Sequence, residues 1–160
     1  MSSGLPARQR SLTVEELEPR LRHLLHYWQD KRAGRAWPAR RDIDPLDLRP
    51  LLGHINMIDV VPRSDGPPRF RYRLFGTEFV FYHGGDLTGR WLDEITDPGF
   101  RRELIAMYAG ITERGELRML SYDYMLASGP HRFQALALPL SGDGRIIDMI
   151  LSCGLPVGAL

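Results

Sequence analysis

A chain of 160 residues that is 43% hydrophobic and 26% charged can bury a core without disulfide or metal staples, and it reads as a single globular domain. A net charge of +1 leaves no basic excess of the sort that marks nucleic-acid binders, so no nucleic-acid partner is expected. The lone Cys153 excludes an intramolecular disulfide and a multi-thiolate metal site. No stretch reaches the roughly 20 apolar residues of a membrane helix, so the sequence predicts a cytoplasmic protein with no membrane insertion.

Residues 1–10 read as a flexible polar tail. Residues 11–34 give the clearest helical pattern: Thr13 and Glu16 match a capping box, and Gly34 closes the segment. Val14, Leu17, Leu21, Leu24, Leu25 and Trp28 form one apolar stripe, while Arg20, Arg22, His23 and His26 fall off it. Burying each large apolar side chain contributes about 1.5–3 kcal/mol, so the stripe needs a surface to cover. Residues 35–154 form the main domain. Within it, Asp44-Pro45 reads as a cap with proline in the first helical position, starting one or two turns through Leu52. Residues 54–61 and 69–75 read as strands joined by the turn PRSDGPP.

The second of these strands alternates Phe70, Tyr72 and Leu74 with Arg71 and Arg73, then breaks at Gly76-Thr77. Thr77 is expected to cap a short aromatic helix that Gly84-Gly85 stops. Asp97-Pro98-Gly99 opens the longest internal helix, residues 100–114, and Gly115 ends it. Residues 117–126, 131–140 and 145–153 read as three further strands, and residues 155–160 as a C-terminal tail.

The order YRLxGTE, short helix, GxDLTG, long helix, strands resembles a PAS domain. More narrowly, DIDPLDLRPLLGHINMIDVV followed by FRYRLFGTE and DLTGRWLDEI resembles the small alphaproteobacterial PAS type 5 family, over residues 28–153. The resemblance implies an α+β fold: a five-stranded antiparallel sheet in spatial order 2-1-5-4-3, short helices on one face and an N-terminal amphipathic helix. That helix would cover the open sheet face or pair with its twin in a homodimer. The resemblance also implies a sensory module that contacts a signalling protein such as a histidine kinase.

No G-x-S-x-G elbow, phosphate-binding glycine loop or nucleophilic Cys–His pattern is present, so no catalytic residue is assigned and an enzyme is not expected. His23 and His26 lack a third ligand nearby, so no metal is assigned. PAS cavities hold haem, flavins or small acids. Flavin is disfavoured because no cysteine follows the short helices, and haem because residues 100–114 contain no histidine; no cofactor is predicted, and a small metabolite remains open. Candidates to line a cavity are Phe79, Tyr82, His83, Trp91, Met107, Tyr108, Tyr122, Tyr124 and Phe133, against the opposing reading of a filled core. Arg73 either joins them as a partner for a ligand carboxylate or pairs with Asp59 or Glu78. Two functions follow: a sensory PAS module working through the stripe from Val14 to Trp28, or a small-molecule-binding protein or enzyme in which Asp123 and His83 do acid–base work.

Overall fold

Six strands pair into one antiparallel sheet in the computed structural model, which describes residues 9–159. In chain order they are β1 (Gln9–Ser11), β2 (Ile55–Arg63), β3 (Gly66–Leu74), β4 (Arg118–Leu126), β5 (Gly129–Leu140) and β6 (Met149–Ala159). They lie in the order β1-β4-β5-β6-β2-β3. Without β1 this is the expected five-stranded arrangement; β1 is an addition, pairing Gln9 with Tyr122 and Ser11 with Leu120. Residues 9 and 10 are therefore strand rather than tail, and the rest of the predicted tail, residues 1–8, lies outside the described residues.

Both edges of the five-stranded core have a neighbouring segment. β1 shields part of β4, and residues 89–91 run beside β3, with the Gly89 amide donating to the Tyr72 carbonyl at 2.7 Å and Tyr72 donating back to Arg90 at 3.0 Å.

Three α-helices flank the sheet: α1 (Pro19–Lys31), α2 (Thr77–His83) and α3 (Pro98–Arg114). On the outer face, Leu21, Leu24, Leu25 and Trp28 of α1 pack on Leu136, Leu138, Leu151, Cys153 and Leu155. On the inner face, α3 lays Tyr108 and Ile111 against Ile58, Phe70, Tyr72 and Ile150. The Asp97 carboxylate caps α3, accepting from the Gly99 and Phe100 amides at 3.0 Å each.

The N-terminal helix is shorter than its stripe. Pro19 disfavours helical geometry at the residue before it, so Leu17 and Glu18 are extended and separate a short 3₁₀ turn, Val14–Glu16, from α1. Gln134 on β5 holds the break: its Oε1 accepts from the Glu18 amide at 2.6 Å, and its Nε2 donates to the Glu16 carbonyl at 3.0 Å.

The stripe proposed as a dimer or partner face is consumed within the chain. Leu17, Leu21, Leu24, Leu25 and Trp28 are 0–4% exposed and Val14 is partly buried, because α1 covers the outer face of its own sheet. The last strand also starts and ends later than expected. The Asp143 carboxylate accepts from the Arg145 and Ile146 amides at 2.8 and 3.1 Å, which keeps that segment in a loop. Residues 155–159, read as a tail, continue β6 alongside β5, with Leu155 buried in the outer core.

Cys153 lies in this outer core, where burial pushes its thiol up to about 12 and leaves it protonated at neutral pH. Leu24→Ala is expected to cost about 2–5 kcal/mol in chemical denaturation. The same variant should speed labelling of Cys153 by a thiol reagent under native conditions. Unchanged labelling with full stability would show that α1 does not cover this face.

Candidate functional site

The two faces of the central strands differ in side-chain size. Leu136, Leu138, Leu151 and Leu155 point outward, while Ala135, Ala137, Ser152 and Gly154 alternate with them and point inward. Small residues leave room. Above them lies a cavity of about 100 Å³ roofed by α2 and α3.

Phe75, Phe79, Tyr82, His83, Leu87, Phe100, Leu104, Met107 and Tyr108 line the cavity from the helical side. Asn56, Tyr72, Leu120, Tyr122, Tyr124, Phe133, Ala135, Ser152 and Gly154 line it from the sheet, with the exposed Gln9 at the rim. The rings interlock. Tyr122 stacks on Phe133 at 5.5 Å, and Tyr82 meets the same ring edge-on at 5.5 Å. His83 stands edge-on to Phe75 at 6.0 Å. None of these lining residues is Arg, Lys, Asp or Glu. Burial raises the Tyr72 phenol well above its usual range and pushes Tyr108 up to about 12, so both are neutral donors near pH 7.

The roof helix α2 is positioned by a close backbone approach. Gly76, not Thr77, occupies its N-cap, and the Gly76 amide donates to Asn56 Oδ1 at 2.8 Å. A Cβ at Gly76 would lie 2.5 Å from the Gly53 carbonyl oxygen and 2.7 Å from that of Ile55, so only glycine fits between strand and turn. Gly84, at φ 87°, ends the helix in the left-handed conformation. Gly154 serves the same contact from below: a Cβ there would lie 2.9 Å from Phe79 Cζ.

Eight expected cavity residues meet at this site: Phe79, Tyr82, His83, Met107, Tyr108, Tyr122, Tyr124 and Phe133. Trp91 and Arg73 do not. Trp91 bridges to Arg71 beyond the β3 edge, where the Arg69 and Arg71 guanidinium carbons lie 4.0 and 5.0 Å from its ring centroid. Arg73 alternates away from Tyr72, and its Nε donates to Asp59 Oδ2 at 3.0 Å, a carboxylate shared with Arg71. Asp123 likewise alternates away from Tyr122 and Tyr124 and accepts from Arg132 at 3.0 Å, so it forms no acid–base pair with His83. Asn56, Tyr72, Ser152 and Gly154 were missed; the alternation of their strands is the signal that places them inward. Among the described residues no group of three potential metal ligands converges.

The family model described as PAS domain (PAS_5) matches residues 17–152. The chain belongs to the PAS domain family. Three solved structures are similar to this PAS domain. A light-oxygen-voltage domain studied with a flavin analogue shows 17% identity and a TM-score of 0.45, covering 71% of this chain and 82% of that one. The PAS domain of an HTR-like protein from Haloarcula marismortui shows 22% identity and a TM-score of 0.39, covering 64% and 81%. A sensory box histidine kinase/response regulator from Burkholderia thailandensis E264 shows 14% and 0.39, covering 71% and 83%. No curated protein sequence matches the chain.

Two outcomes test this geometry in the PAS domain. Gly76→Ala must push two carbonyl oxygens aside and should destabilise the fold by roughly 1–3 kcal/mol in denaturant melts, whereas Gly85→Ala, which meets nothing within 4 Å, should not. His54 has a buried Nδ1 without a partner, and burial lowers its pKa from 6.5. Its neutral form is favoured on folding, so its contribution is present above pH 6.5 and is lost as pH falls through the lowered value. His54→Gln should flatten that part of the pH–stability curve; an unchanged acid slope would contradict the assignment.

Proposed function

We propose that this PAS domain is a non-catalytic sensory module, in which a small organic molecule enters the cavity and changes how the domain contacts a signalling protein. The observation that carries the reading is the double role of α2. Phe79, Tyr82 and His83 on this helix form cavity wall, while Phe81 on the same helix is 82% exposed. A change in cavity filling therefore acts on a helix that also presents an apolar ring to partners.

α1 is spent on its own sheet, so contact with a histidine kinase or a second copy passes through other surfaces, with Phe81 the foremost apolar one. A catalytic reading has less support, since Asp123 and His83 do not meet. Common ligand pockets run to about 300–1,000 Å³, well above this cavity, so a haem or flavin ring system does not fit without displacing the lining. The only cysteine faces the opposite side of the sheet. A cytoplasmic setting agrees with the absence of any helix in the described residues long and apolar enough to cross a membrane.

Hydrogen exchange on protein purified from its own host, before and after stripping small molecules, tests the reading. Native mass spectrometry should show a retained small ligand, and its removal should speed exchange of the α2 amides about tenfold. Protein that retains nothing and α2 amides that respond to no added metabolite would count against a sensory role. Phe81→Ser should leave the melting temperature unchanged and weaken binding to the cognate kinase.

A further inference from the structure

We infer that the cavity selects small neutral molecules carrying a hydrogen-bond-accepting oxygen, of the cyclic ketone class, and rejects carboxylates. This deepens the sensory reading, since it rests on the same cavity, but it is independent of how the signal leaves the domain.

The donors come first. Tyr72 on β3 and Tyr108 on α3 are 3% and 2% exposed, and both line the cavity together with Tyr122 on β4. Each of these phenols carries an O–H that can donate to a guest in the cavity they line. Asn56 commits its Oδ1 to the Gly76 amide, which leaves its NH₂ as a further donor. Buried polar groups ordinarily find a partner. A guest that brings an acceptor oxygen supplies one.

Charge decides the class. No Arg or Lys lines the cavity, and Arg73, the anchor the sequence offered, is held by Asp59 on the opposite face of β3. A carboxylate would lose its water and meet no Arg or Lys in the lining, which is strongly unfavourable without a paired cation. At the rim, Gln9 Nε2 lies 3.5 Å from Glu103 Oε2, which places a negative charge beside the entrance and adds to the bias against anions. Size then limits the guest. A cavity of about 150 Å³ holds benzene, and this one, at about 100 Å³, suits a five-membered ring or less.

Cyclopentanone, cyclopentane and cyclopentanecarboxylate share one ring and test each part of the inference. The Met107 methyl lines the cavity and reports binding by ¹³C–¹H NMR at neutral pH. Cyclopentanone should shift this methyl saturably, with the other two binding at least tenfold more weakly. Tyr72→Phe and Tyr108→Phe should each weaken the ketone about fivefold to tenfold and leave cyclopentane unchanged. Ala135→Leu, which fills the floor, should abolish the response. Carboxylate or cyclopentane binding as tightly as the ketone overturns the inference, as does a Met107 methyl that responds to none of them. Ketone binding with unaltered α2 exchange would instead remove the sensory reading and leave the ligand class standing. An α2 response to the carboxylate alone would do the reverse.

Discussion

The size alternation along β5 and β6 is the constraint from which the rest follows. A pleated strand shows its odd and even residues to opposite faces. Here one face carries leucines and the other carries Ala135, Ala137, Ser152 and Gly154. The leucine face demands a cover and receives α1. The small-residue face cannot be filled by the sheet, so aromatic rings from α2, α3 and β4 lean over it and enclose a space.

Filling the outer face within the chain has a consequence for signalling. Side chains 0–4% exposed in the monomer offer nothing to a partner unless α1 detaches, and detachment would uncover Leu138, Leu151 and Cys153 together. Trp28 adds a polar tie, its indole N–H donating to the Pro139 carbonyl at 3.0 Å. The proposed signal would therefore leave through the inner-face helices.

Much of this was legible in the sequence because the signals were local. Alternation over Phe70 and Tyr72, the Asp97 cap and the glycines after α2 and α3 each specify a short piece of backbone, and each piece forms, although Leu74 at the strand's end is exposed. Aromatic residues at helical and strand spacing located eight members of the cavity. The failures have equally particular causes. Pro19 interrupts a stripe whose periodicity continues through it, so Leu17 stays buried without being helical. β1 is three residues long and exists through its pairing with β4, a long-range event that no local pattern carries. β6 runs past Gly154 and Pro156 into the predicted tail: Gly154 makes room for Phe79, and a register shift that leaves Val157 of β6 unpaired sits beside Pro156. Of the two readings of Arg73, the structure takes the pairing with Asp59, as its strand's alternation opposite Tyr72 requires.

The roof is the element most dependent on its surroundings. Isolated helices below about 12–15 residues are marginal in water, and α2 has 7. Its order rests on the Asn56 bond to the Gly76 amide, on Phe79 seated over Gly154, and on Tyr82 against Phe133. Two of those three supports involve rings that also bound the cavity, so whatever occupies that space shares surface with the groups that keep the helix folded. A short helix supported from beneath has a local opening free energy well below that of the sheet. Under the proposed sensory role, occupancy of the cavity and order in α2 would be one coupled equilibrium, because a guest touching Phe79 and Tyr82 would stabilise the helix through the same rings.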